Sequence, residues 1–222
     1  MTCYEKDIFS YYIILAFSKA ALAQFGNCTA SEMRTYVDSA TGNTITMLTD
    51  TMKNDRFLYQ TDPMWTADGK YLLFRSSSRG NDKEVESTLP NGEKRKWTPT
   101  QIYFIEMATG KIIQATEGPN LGSAFLANKI ESYVCQPERK RKLEHVCNDL
   151  NKFFADVKQG KVGKPSAYET FIGTFPTEMG RPGGYAVDCN DDYAYITVER
   201  EGTEEEKERM MKTLSCLKIT SR

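Results

Sequence analysis

The chain has 222 residues and a formal net charge of −1 at pH 7, long enough to bury a full core as one domain or two small ones. That charge balance argues against a protein built mainly to hold nucleic acid. An aromatic content of 11% fits a soluble β-rich protein, and nothing in the composition signals disorder.

The chain opens on a targeting pattern. Residues 10–17 are apolar, and Ala21-Leu22-Ala23 has the small-x-small form of a cleavage site. The run is too short to cross a bilayer comfortably. Residues 1–23 therefore read as a signal peptide of a periplasmic or secreted protein, with a buried N-terminal helix or a misassigned start as the alternative. Export permits disulfides. The cysteines at 3, 28, 135, 147, 189 and 216 form no CxxC, so spacing fixes no pairing and leaves Cys135–Cys147 as one option. A single histidine, His145, and no cysteines at zinc spacing give no metal site.

Residues 24–34 read as a linker, and 35–199 as a series of short strands. The first hairpin turns at 40–43 and ends near Leu48. A polar connection over 50–63 carries Arg56, Tyr59, Gln60 and Asp62. Residues 64–66 and 71–75 form a second hairpin around Asp68-Gly69, a pair suited to tight turns with positive φ. Residues 76–99 read as a long charged loop, of the length that is usually functional or mobile. Residues 101–104 and 112–116 pair around 108–111, and 123–127 with 130–134 around Asn128-Lys129.

The basic run Arg139-Lys140-Arg141-Lys142 reads first as a solvated loop and second as an anion contact. Residues 153–157 lead to a turn at 158–161, and 168–175 continue as strand. Residues 185–188 and 193–198 close the series around Asn190-Asp191. In residues 200–222, Thr203 and Glu206 have capping-box spacing, and Glu205/Arg209 and Glu208/Lys212 have helical i,i+4 spacing. Met210, Met211, Leu214 and Leu217 add an apolar stripe. The tail is expected to be a short amphipathic helix.

Asp38-Ser39-Ala40-Thr41-Gly42 returns as Glu106-Met107-Ala108-Thr109-Gly110. Turns with glycine at 42, 110 and 160 alternate with turns at 68/69, 128/129 and 190/191. Alternating outer and inner strand pairs of four-stranded blades produce this order, the signature of a β-propeller. The expected fold is all-β, a β-propeller of four-stranded antiparallel blades with about two whole and two half blades. So few blades cannot close a ring. The chain is expected to be a fragment, or to assemble with a missing propeller half or a protein partner.

Val37-Asp38, Thr41-Gly42, Leu48-Thr49-Asp50, Asp55-Arg56, Leu58-Tyr59 and Thr66-Ala67-Asp68-Gly69-Lys70, followed by Gln101-Ile102-Tyr103, Ala108-Thr109-Gly110 and Ala115-Thr116-Glu117-Gly118-Pro119, resemble the opening of the oligogalacturonate lyases. The resemblance covers roughly residues 35–120. It implies a seven-bladed propeller that cleaves acidic, uronate-containing oligosaccharides of pectin by β-elimination. It also implies a divalent, manganese-like metal held by histidines of later blades in the complete protein. His145 lies outside the matching stretch, so no metal ligand and no catalytic residue is carried over.

β-Elimination needs a base for the proton α to the uronate carboxylate and a cation for the developing enolate charge. Arginines on one rim suit carboxylate-bearing sugars, because the guanidinium fork pairs bidentately with a carboxylate. Arg56, Tyr59, Gln60 and Arg75 are the candidate substrate-binding residues; Arg79, Arg181 and Arg200 hold similar stations. Trp65 and Trp97 could stack on sugars, Trp65 being the better candidate for core. The competing reading is a non-catalytic, TolB-like propeller that binds a protein or glycan partner.

Overall fold

The structure is a computed structural model that describes residues 25–50, 52–60, 62–80, 84–88, 92–118, 121–129, 132–139, 142–174, 181–199 and 213–218. The expected signal peptide lies outside these residues. Among them the chain is all-β except for one α-helix and a short 3-10 turn at Pro165–Ala167, and every strand pair is antiparallel. Among the described residues no sheet closes into a barrel.

The central sheet orders its strands β1 (Cys28–Thr29), β9 (Ile112–Gln114), β8 (Gln101–Glu106), β5 (Tyr71–Ser76) and β4 (Asp55–Arg56). Strands β5 and β8 are buried along almost their whole length, which explains why they read as continuous apolar runs rather than alternations. Alternate positions feed two cores. Tyr71, Leu73, Ile102 and Phe104 join one cluster; Leu72, Phe74, Tyr103 and Ile105 join the other. The Asp68-Gly69 turn behaves as expected: Thr66 N–H donates to the Tyr71 carbonyl, and the Thr66 hydroxyl donates to Asp68. Only one bridge, Trp65 with Leu72, forms on its upstream side.

A second sheet runs β10 (Leu121–Leu126), β11 (Ser132–Arg139), β12 (Lys142–Asp149) and β13 (Glu169–Thr174). A third runs β14 (Arg181–Val187), β15 (Tyr193–Glu199) and β16 (Thr213–Lys218). Two hairpins stand as separate two-stranded sheets: β2 (Arg34–Val37) with β3 (Thr44–Met47), and β6 (Val85–Thr88) with β7 (Lys94–Trp97).

Several expectations are corrected. The 24–34 stretch is not a linker: β1 adds to the edge of the central sheet, and Phe25 packs on Phe153 and Tyr168 at 5.0 and 5.6 Å. The 76–99 loop carries the β6–β7 hairpin, and the basic run falls where β11 ends and β12 begins. Thr213–Lys218 is a strand paired along β15, not part of a helix; residues 200–212 lie outside the described residues. There the open edge of β15 outweighs a weak helical preference.

Residues 153–161 are not a strand and turn but most of helix α1 (Leu150–Gln159) and its cap. Leu150, Phe153, Phe154 and Val157 repeat at helical spacing and pack on the first core cluster. The Asp149 carboxylate accepts from the Lys152 N–H at 2.9 Å, and Gly160, at φ 66°, ends the helix with N–H bonds back to the last turn. The glycine taken as a hairpin turn is therefore a helix cap. Phe154 stacks on Tyr71 at 3.7 Å, seating the helix on the central sheet. Full burial of such a ring is worth about 1.5–3 kcal/mol.

The Cys135–Cys147 pairing is excluded by register. Residue 135 lies opposite Val146, and Cys147 opposite residue 134. Neighbouring strand positions alternate between faces, so positions 135 and 147 belong to opposite sides of the sheet.

Candidate anion-binding site

Strand β4 is short because the chain turns away after Arg56 and rejoins β5 only at residues 64–66. Its two residues pair with the end of β5: Asp55 with Ser76, and Arg56 with Arg75. Directly opposed residues of an antiparallel pair share a face, with Cβ atoms about 4.5–5.5 Å apart. The two arginines therefore occupy opposed positions on one face of the sheet, Arg56 exposed and Arg75 half-buried. Arg56 Nε donates to the Asn54 side-chain oxygen at 3.3 Å. Among the described residues neither arginine has a carboxylate partner.

Nearby acid is already committed. Arg79, with 6% of its side chain exposed, reaches Asp55 at 2.7 and 2.6 Å and Glu32 at 2.9 and 2.6 Å. The Arg79 hydrogen bonds hold the Glu32 carboxyl below its usual range, and the two carboxylates outweigh burial to raise Arg79 further. The guanidinium also lies 5.3 Å from the centre of the Phe74 ring. Arg79, expected on the rim, is instead a buried brace joining the β1–β2 connection, β4 and the segment after β5. A cavity of about 150 Å³ beside it is lined by Asn27, Thr29, Glu32, Lys53, Arg79 and Gln114, among others.

Beyond Arg56, Leu58 is buried and anchors an excursion whose turn is closed by Asp62 N–H donating to the Tyr59 carbonyl. Tyr59 is 66% exposed and Gln60 is exposed. Both follow Arg56 on the same excursion, and neither side chain makes a hydrogen bond among the described residues. Asn54 escaped the sequence reading. Its N–H and amide hold Ser78 and Ser77 while its oxygen takes Arg56, so it positions the arginine. The signal was the Asn54-Asp55-Arg56 order, which places a short amide two residues before the charge.

The remaining candidates separate. Trp65, expected in the core, is 48% exposed, and Trp97 lies on β7, outside the core clusters. Arg181 opens β14, and Arg200 is outside the described residues. His145 is fully buried, and burial pushes its pKa down to about 4. It is neutral at pH 7 and shielded from any solute.

The metal implied by the resemblance does not fit the described residues. No group of three or more His, Cys, Asp or Glu side chains among them could hold an ion. The closest carboxylates, Glu32 and Asp55, share the Arg79 guanidinium.

No family model and no curated protein matches the chain. Among solved structures it is similar to an oligogalacturonate lyase in complex with manganese, at 19% identity and a TM-score of 0.54 over 78% of this chain. It is also similar to an oligogalacturonate lyase from Vibrio parahaemolyticus, at 20% identity and a TM-score of 0.55 over 83% of this chain. The chain spans 38% and 42% of the lengths of those two structures. At this identity the likeness is one of fold, and the chain is structurally related to part of an oligogalacturonate lyase.

Proposed function

We propose that this chain is part of a β-propeller of the oligogalacturonate-lyase type, and that it binds the uronate groups of an acidic oligosaccharide. The observation that carries the reading is the Arg56–Arg75 pair. Two like charges set opposite each other oppose folding and gain when one carboxylate takes both forks. Tyr59 and Gln60, on the same excursion, would meet the sugar hydroxyls.

In the complete protein the bound carboxylate would be the one α to the proton removed in β-elimination. Two guanidinium groups on its oxygens would draw charge from the carbanion as the proton leaves and the glycosidic oxygen departs from the β carbon. The base is not assigned to any residue of this chain. A divalent, manganese-like metal belongs to the reading of the complete protein; when bound it would supply further stabilisation of that charge. An exported location belongs to the same reading, supported by the apolar run 10–17 and Ala21-Leu22-Ala23.

A second reading, uronate binding without cleavage, is favoured by one observation: His145 is buried and cannot touch a ligand. Calorimetric titration with galacturonate oligomers tests the shared claim, and absorbance of the unsaturated uronate product separates the two. Binding lost in Arg56→Gln/Arg75→Gln supports the site. Equal binding by that variant sinks it. Product formation by the protein would decide for the lyase.

A further inference from the structure

Strand β4 is held to its sheet by little backbone. Only Asp55 and Arg56 pair with β5, far fewer than the usual strand length of about 5–6 residues. The opposition of Arg56 to Arg75 works against even that pairing, because like charges directly across a ladder repel. Two ladder positions are a weak hold on Arg56.

Side chains just after β5 add the rest. Asn54 donates its N–H to the Ser78 hydroxyl at 2.8 Å and its amide to the Ser77 hydroxyl at 2.7 Å. Arg79 donates to both Asp55 oxygens and to both Glu32 oxygens, and such bidentate forks fix direction as well as distance. Glu32 also accepts the Asp50 N–H at 2.8 Å, so the segment entering β4 is tied at 50, 54 and 55. Lys53, between those ties, lines the cavity beside Arg79 rather than a packed core. Ties and arginine pair take opposite faces. Asp55 opposes Ser76, on the side of Phe74, whose ring centre lies 5.3 Å from the Arg79 guanidinium. Arg56 and Arg75, one position along each strand, take the other side.

We infer that Arg79 and Glu32 are positioning residues for the anion site: by pinning Asp55 on one face they fix the β4 backbone and keep Arg56 in register with Arg75 on the other. The inference rests on the uronate reading of that pair. Holding both arginine positions before the ligand arrives removes an ordering cost from binding. A ligand on the arginine face touches neither Arg79 nor Glu32, so both act through the backbone. Electrostatics alone predicts the opposite sign. Neutral residues in place of Glu32, Asp55 and Arg79 remove two negative charges and one positive, a change that favours an anion. Loss of register disfavours it.

The test titrates a galacturonate trimer into wild type, Arg56→Gln, Glu32→Gln/Asp55→Asn/Arg79→Met, and that triple variant with Arg56→Gln added. Removing both acids along with the guanidinium leaves none of the three charges unpaired, so the triple variant is expected to keep a thermal midpoint close to wild type. Its trimer affinity is expected to fall about tenfold. Arg56→Gln should weaken binding to a similar degree, and the quadruple variant should bind no more weakly than Arg56→Gln alone, because the ties act through Arg56. Wild-type or tighter binding by the folded triple variant would overturn the positioning role and leave the uronate reading standing. A full further loss in the quadruple variant would show the ties acting elsewhere and overturn it as well. If the triple variant does not fold, Arg79→Lys decides in its place. It keeps the charge and loses the fork, so an affinity lowered about threefold is expected and an unchanged one overturns the role. If wild type binds no trimer, the uronate reading fails and the positioning role falls with it.

Discussion

Arg56 stands directly across from Arg75 in the β4–β5 register, on a sheet whose nearest acids are bound to a third arginine. Like charges directly opposed across a strand pair are destabilising. Arg75→Gln is expected to raise stability by about 0.2–1 kcal/mol, read as an upward shift in thermal midpoint. The same substitution should weaken binding of a galacturonate oligomer by about tenfold. Opposite signs on stability and affinity distinguish a ligand site from a structural contact, which would lose both.

Arg79 predicts the reverse. Arg79→Met leaves Glu32 and Asp55 partly buried without a counter-charge, a change expected to cost about 3–5 kcal/mol in denaturant unfolding. Removing the acids as well, in Glu32→Gln/Asp55→Asn/Arg79→Met, should recover most of that loss. The pH dependence carries the same sign. Glu32 has a folded value below its ordinary 4.5, so its contribution is present above pH 4.5 and fades as pH falls through the folded value. Arg79→Met should flatten that acid limb.

The sequence made the brace hard to see. Glu32, Asp55 and Arg79 come from three segments read as linker, polar connection and charged loop; the β4–β5 pairing brings Asp55 to Arg79, and the approach of β1 to β9 brings Glu32. Helix α1 was missed for a related reason. Lys152-Phe153-Phe154-Ala155 suits a strand locally, and its helical periodicity shows only when Leu150 and Val157 are counted with it. By contrast, the hairpins at 38–43 and 106–111 were legible, because each turn is specified by side chains within six residues. The Arg56–Arg75 pair was legible as two rim arginines; their direct opposition depends on register.

His145 supplies a second, separable pH effect. Its folded value, pushed down by burial to about 4, lies below the ordinary 6.5. The unfolded chain therefore takes up a proton first as pH falls, and stability is lost between about pH 6.5 and about pH 4. The full effect is about 3 kcal/mol, levelling off below both values. His145→Leu should abolish this slope above pH 5 while leaving the Glu32 limb intact. Denaturant midpoints of both proteins across that range check it, and parallel curves would remove His145 as the cause.

The two copies of the repeat make a matched pair of glycines. In one turn Gly42 N–H donates to the Asp38 carbonyl while Thr41 hydroxyl donates to the Asp38 carboxylate; in the other Gly110 and Thr109 do the same to Glu106. Both glycines have positive φ, 72° and 70°, so alanine at either meets the same backbone penalty of about 1 kcal/mol. Their surroundings differ. A Cβ at Gly42 meets nothing within 4 Å, whereas one at Gly110 collides with the Ser31 side chain and with Met33 sulfur at 2.7 Å. Gly110→Ala should therefore cost at least about 1–3 kcal/mol more than Gly42→Ala. Hydrogen exchange would locate the difference: Gly110→Ala should loosen the 28–33 amides as well as its own turn, and Gly42→Ala its turn alone. Equal costs would mean that the segment leading from β1 can move aside, so that it contributes little to holding the edge of the central sheet.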